Sequence, residues 1–197
     1  MRPTKGRRSV EPQDDLMMIH RITTLLLLGV PAMLAASQPK VGENAPDFQL
    51  SSLQGNKVRL SDVSKAGTVV LVALRGYPGY QCPLCNRQVQ EFIRNGQAFA
   101  DAGARVVMVY PGPAERASEF VADKKLPVNF DLLLDPDYAF TNLYGLRWEA
   151  VGETAYPSTF VINPQGVISF AKISTSHGGR ASAADVLRAL AKNNSGR

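Results

Sequence analysis

Cys82 and Cys85 are the only two cysteines of the 197-residue chain, and two residues separate them within RGYPGYQCPLCNRQVQEF, residues 75–92. Thiols at this spacing suit three chemistries: reversible disulfide exchange, half of a metal site, or quiet burial as two small apolar side chains. A bridge across so short a loop adds little stability, because the loop-closure contribution grows with loop length. The pair therefore reads as a working couple rather than a staple. A zinc site asks for about four ligands, and the chain has only two histidines, His20 and His177. Copper can be held by two thiolates and an imidazole, which leaves Cys82, Cys85 and His177 as an alternative set.

The flanking residues indicate how the sulfurs would be used. TVVLVAL, 68–74, is a continuous β-branched and aliphatic run, the pattern of a buried strand. The cysteines follow at once, and Val89, Phe92, Ile93 and Phe99 then keep helical spacing through residues 83–100. Proline is favoured at the first helical position, where its missing N–H would be unbonded anyway. Pro83 thus makes Cys82 the N-cap and Cys85 the third helical residue. Unpaired N–H groups and the helix dipole favour negative charge there, so a thiolate is stabilised and the thiol pKa depressed. Residues three apart also face one another on a helix, so the sulfurs can meet. The spacing alone leaves open which of the two strikes first.

The remaining elements must hold this turn in place. Residues 40–66 read as two short alternating stretches around Gln54-Gly55-Asn56. ARVVMVY, 104–110, is a second buried strand, and NFDLLLD, 129–135, a third. Helical patterns fall at 112–125, at 136–146 with an end near Gly145, and at 181–192. STFVI, 158–162, and VISFAKI, 167–173, flank the hairpin signal Asn163-Pro164-Gln165-Gly166. Strands alternating with helices imply an α/β fold with parallel pairing, and the closing hairpin makes the central sheet mixed.

A composition of 45% hydrophobic and 20% charged residues suits one ordinary folded domain, which we place at 38–197. The net charge of +5 is not gathered into a basic run, so no nucleic-acid partner is expected. Residues 1–37 read as a leader. From Met17, a short basic stretch (His20, Arg21) precedes an apolar run and the small residues Ala35, Ala36 and Ser37, the order of a secretory signal. Export to the periplasm or the cell exterior is the expectation, with residues 22–36 as a membrane anchor if the segment is retained. No nucleotide-binding loop, flavin signature or haem-attachment sequence is present. We therefore expect no cofactor, and electrons arriving through thiols.

Over residues 40–192 the chain resembles the thioredoxin-fold redoxins, specifically the alkyl hydroperoxide reductase/thiol-specific antioxidant (peroxiredoxin) branch. The resemblance rests on VGENAPDFQLSSLQGNKVRLSDV, the cysteine turn, LLLDPDYAFTNLYGL and YPSTFVINPQGVI, in that order. It implies a thioredoxin-like fold, hydroperoxide substrates and a thiol donor such as a thioredoxin-like protein. Peroxiredoxins carry Pro-x-x-x-Thr/Ser-x-x-Cys, which Pro78 through Cys85 matches with Cys82 in the hydroxyl position. In that register Cys85 attacks peroxide, Cys82 resolves the sulfenic acid, and a Cys82–Cys85 disulfide forms. Against the exported disulfide oxidoreductases of the TlpA/ResA kind, the same residues are a Cys-x-x-Cys motif with Cys82 as nucleophile. The arginine that peroxiredoxins place before the late Ser/Thr-Phe strand is here Pro157, which instead matches the cis-proline of thioredoxins. Arg75, Arg87 and Arg147 are candidates for the missing cation, and Pro78 and Pro157 for the pocket. Copper carriers of the same fold pair two cysteines with a distant histidine, here His177, which otherwise reads as a solvated loop residue.

Overall fold

The computed structural model describes residues 37–76 and 82–195. The leader and its proposed signal or anchor, and Pro78, lie outside the described residues. Among the described residues, no helix is long and apolar enough to cross a membrane.

The chain opens with a hairpin of β1 (Gln49–Ser52) and β2 (Lys57–Arg59). Its turn needs Gly55, which has φ +87°. Next come α1 (Leu60–Ala66), β3 (Thr68–Ala73), α2 (Pro83–Arg94), α3 (Gly96–Asp101) and β4 (Ala104–Tyr110). They are followed by α4 (Ala114–Val121), β5 (Phe130–Leu134), α5 (Ala139–Leu143), β6 (Ser158–Ile162), β7 (Ile168–Ile173) and α6 (Ala183–Ser195). The seven strands form one sheet in the order β2-β1-β5-β4-β3-β6-β7. β3, β4 and β5 run parallel, and every other neighbouring pair is antiparallel, so the sheet is mixed as expected.

The continuous apolar run of β3 is explained by its place between β4 and β6, with both faces covered. Val70, Val72 and Leu74 point into one layer with Val106, Met108, Leu132 and Val161. That layer is closed by Val89 and Phe92 of α2, Phe99 of α3, Phe120 of α4, and Val186 and Leu190 of α6. Val69, Leu71 and Ala73 point the other way, against Phe160, Ile162, Leu60 of α1, and Phe140 and Tyr144 of α5 and its end. Both cysteines belong to the first layer.

Three expectations change. Residues 60–66 are helical, where only alternating stretches were read: a three-residue β2 runs straight into α1, and so short a segment shows neither period clearly. The helix expected over 83–100 is broken at Asn95, whose Nδ2 bonds the Glu91 carbonyl at 2.8 Å. The break brings Gly96 so close to Pro127 that a Cβ there would lie 2.6 Å from the proline ring. No peptide bond among the described residues is cis, so Tyr156–Pro157 is trans and Pro157 is not the cis-proline of a thioredoxin site. Its carbonyl accepts from Ser174 N at 2.9 Å, joining β6 to the end of β7.

Candidate active site

The backbone of β3 remains paired one residue past its end, where Leu74 N donates to Val109 O at 2.9 Å. Arg75 and Gly76 then leave the sheet. Cys82 returns as the N-cap of α2 in extended conformation (φ −63°, ψ 116°), Pro83 opens the helix, and Asn86 N donates to Cys82 O at 3.1 Å. This is the local geometry expected from Cys-Pro after a strand. It puts both sulfurs in the first turn, and both are free thiols, 3% and 2% exposed for Cys82 and Cys85.

The two sulfurs are not equivalent. Cys85 Sγ lies 3.0 Å from the Arg75 carbonyl oxygen and is the more deeply buried of the two sulfurs. Its hydrogen bond with Cys82, reinforced by burial, pushes the Cys85 thiol well above its ordinary pKa. Cys82 is held at about 4, first by the hydrogen bond from Cys85, then by the Cys85 backbone N–H, the Arg180 charge and the Arg75 side chain. Burial opposes this but is outweighed. These surroundings favour the anion at Cys82 and the thiol at Cys85.

Two guanidinium groups face that anion. Arg180 Nη2 lies 3.6 Å from Cys82 Sγ, while its Nη1 donates to Gln88 Oε1 at 3.1 Å and its Nε to His177 O at 3.2 Å. Gln88 is fixed in turn through Nε2 to Ala181 O at 3.1 Å. Arg75, only 4% exposed, bonds Cys82 and donates from Nε to Glu153 Oε2 at 2.5 Å. The other Glu153 oxygen lies 2.8 Å from His177 Nε2. Trp148 backs this arrangement, with the Arg75 guanidinium 5.9 Å and the His177 ring 5.1 Å from its ring, and it stacks on Tyr156 at 4.8 Å.

Of the sequence candidates, Arg75 stands beside the sulfur anion. Arg147 does not: its Nη1 donates to the carbonyls of Trp148, Glu153 and Thr154 at 2.9, 3.2 and 2.6 Å, and its guanidinium covers the Tyr138 ring at 4.3 Å. It shapes the 147–156 loop. Arg87 is exposed and lines a cleft of about 210 Å³ together with Leu84, Gln88, Glu91 and Arg180. His177 is half exposed and engaged by Glu153 rather than by sulfur. Among the described residues no three His, Cys, Asp or Glu side chains gather to hold a metal, so the copper set of Cys82, Cys85 and His177 is not assembled. Arg180 and Glu153 were missed. The GGRAS stretch near His177 offered Arg180 as a basic residue in a glycine turn, but nothing local aims it at α2.

Known proteins share this sequence pattern and this fold. The profile of the AhpC/TSA family matches residues 41–171. A putative peroxiredoxin bcp of Helicobacter pylori is 32% identical over 136 residues, covering 66% of this chain and 84% of that protein. The thiol-disulfide oxidoreductase ResA of Bacillus subtilis is 27% identical over 127 residues, covering 64% of each. Among solved structures, peroxidoxin BcpB of Mycobacterium tuberculosis superposes with a TM-score of 0.66 at 25% identity, over 80% of this chain and 98% of that one. With a mixed thioredoxin-like sheet and a cysteine pair at the start of α2, the chain belongs to the AhpC/TSA family and is a peroxiredoxin-type thiol peroxidase.

Proposed function

We propose that the chain reduces hydroperoxides at a Cys82–Cys85 couple in which Cys82 strikes and Cys85 resolves. The carrying observation is that the Arg75 and Arg180 guanidinium groups both face Cys82, with Arg180 Nη2 3.6 Å from its sulfur, while Cys85 is buried behind it. The Cys82 thiolate attacks the terminal peroxide oxygen, the O–O bond breaks, and the leaving alkoxide takes the Cys85 proton to become the alcohol. The Cys85 thiolate then attacks the Cys82 sulfenic acid, and hydroxide leaves and takes a solvent proton as water. Two thiols of a thioredoxin-like donor reduce the resulting disulfide and are themselves joined. The order of residues 17–37 supports a place of work outside the cytosol.

The register from Pro78 to Cys85 supports the opposite order, with Cys85 as attacker, and single-cysteine variants separate the two. With a small excess of hydroperoxide, Cys85→Ser accumulates sulfenic acid at Cys82, whereas Cys82→Ser loses the rapid oxidation. Rapid oxidation that survives in Cys82→Ser and vanishes in Cys85→Ser returns the attack to Cys85.

A second reading, protein disulfide exchange through Cys82, is favoured by the low pKa of this N-cap thiol and by the ResA relative. Insulin disulfide reduction that outpaces peroxide reduction selects it.

A further inference from the structure

Both cations at Cys82 are held by groups outside the helix that carries the sulfur. Arg180 is anchored through Nε on the His177 carbonyl. Arg75 leaves β3 where the sheet hydrogen bonding ends, so its own strand does not orient its guanidinium. What orients it is Glu153, whose side chain is 11% exposed. One carboxylate oxygen takes the Arg75 Nε–H at 2.5 Å, and the other meets the His177 ring at 2.8 Å. The loop carrying Glu153 is tied to the same strand end, because Thr154 Oγ1 donates to Gly76 O at 2.7 Å. Arg147 closes that loop from its far side by bonding the Glu153 and Thr154 carbonyls. The His177 segment is pinned as well: Ser174 N bonds Pro157 O, and Ser174 Oγ bonds the carbonyls of Ser176 and Gly178.

We infer that Glu153 is the positioning residue of the redox site: it clamps the Arg75 guanidinium against the Cys82 sulfur, with His177 as its outer anchor. The chain of contact runs from Cys82 to Arg75, Glu153 and His177, drawn from four separate segments of the sequence. A carboxylate beside the activating arginine has two opposed effects. Its charge competes with the thiolate for Arg75, whereas its hydrogen bond holds Arg75 where the thiolate can use it. With one carboxylate oxygen on Arg75 and the other on His177, Glu153 is fixed from both sides, which makes orientation the larger effect.

The inference rests on the reading of Cys82 as the resting thiolate, and one titration tests both. The pH dependence of iodoacetamide alkylation at Cys82 is followed in the reduced protein, with peroxide turnover alongside. The charged and titrating neighbours of Cys82 are Cys85, Arg75 and Arg180, and those of Glu153 are Arg75 and His177. For Glu153→Ala we expect the Cys82 midpoint to rise by about one pH unit. Glu153→Gln, which keeps a carbonyl oxygen for Arg75 Nε, should restore most of that rise. His177→Ala, at a half-exposed site, should give a smaller rise in the same direction. In an Arg75→Ala background, Glu153→Ala should move the midpoint no further.

A midpoint lowered or unmoved by Glu153→Ala overturns the inference. So does an equal shift with and without Arg75. If Glu153→Ala fails to fold, the His177→Ala titration decides, and an unmoved midpoint there is equally fatal. An ordinary thiol midpoint at Cys82 in the unmodified protein would instead remove the reading beneath it. The two failures are therefore distinguishable.

Discussion

The low pKa of Cys82 links its reactivity to the stability of the reduced fold. An unfolded cysteine titrates near 8.5, whereas Cys82 is held at about 4 in the fold. Between those values the unfolded chain binds a proton that the folded one does not, so stability rises with pH across the window. The contribution is fully present above about pH 8.5 and is lost as pH falls through about 4. Cys85 acts in the opposite sense: its raised pKa stabilises below the unfolded value and fades in alkali. The stability of reduced protein minus that of Cys82→Ser, from urea denaturation at a series of pH values, should therefore widen between about pH 4 and 8. A flat difference would mean that the fold does not stabilise the thiolate. At this scale the sequence was informative about where the two sulfurs lie, since Cys-Pro after an apolar strand places both at a helix start. It was silent on which holds the proton, because the cations that favour an anion at Cys82, Arg180 and the Arg75 side chain, are placed there by other segments.

At the scale of elements, the shortest helix shows how much depends on one buried group. The five residues of α5 are too few to be stable from local bonding alone. Asp135, 1% exposed at the end of β5, accepts from Phe140 N at 2.9 Å, Thr141 N at 3.0 Å and Thr141 Oγ1 at 2.6 Å. It also spans the turn in which Tyr138 takes the left-handed conformation at φ 57°. Asp135→Ala would leave these buried donors unpaired, and we expect a loss of about 2–3 kcal/mol in chemical denaturation. A loss below about 0.5 kcal/mol, the range of an ordinary surface change, would show that the turn holds without it. The helix over 136–146 was legible from its apolar spacing, and the αL glycine at its end, Gly145, from its position. The Asp135 clamp was not, since a carboxylate inside an apolar run looks like the end of a strand.

In the whole molecule, the N-terminal part of the domain closes the sheet edge at β7. Gly42 N donates to Ile168 O, Ile168 N to Glu43 O and Ala45 N to Gly166 O, each within 2.8–2.9 Å. Asn44 and Val167 form an isolated bridge within the same pairing. Residues 42–45 are thereby part of the folded sheet edge. A chain beginning at residue 37 should fold and reduce peroxide at the rate of the full chain, as checked by thermal melting and single-turnover kinetics. One that begins at residue 47 loses the edge pairing and should melt several degrees lower. Equal melting of the two would show that the 42–45 segment contributes nothing.

Local information was enough for the buried strands, the mixed sheet, the closing hairpin and the cysteine turn, because each depends on residues within one strand or one helical turn. The family resemblance followed from the order of those same segments. The proton distribution, the identity of the second cation and the Glu153 clamp had to wait for the tertiary structure. Glu153 is 78 residues from Arg75, and Arg180 is 98 from Cys82. Electrostatic stabilisation depends on distance in space, and only the packing of α2, the 147–156 loop and the 174–180 loop against one sheet end brings those charges within reach of a single sulfur.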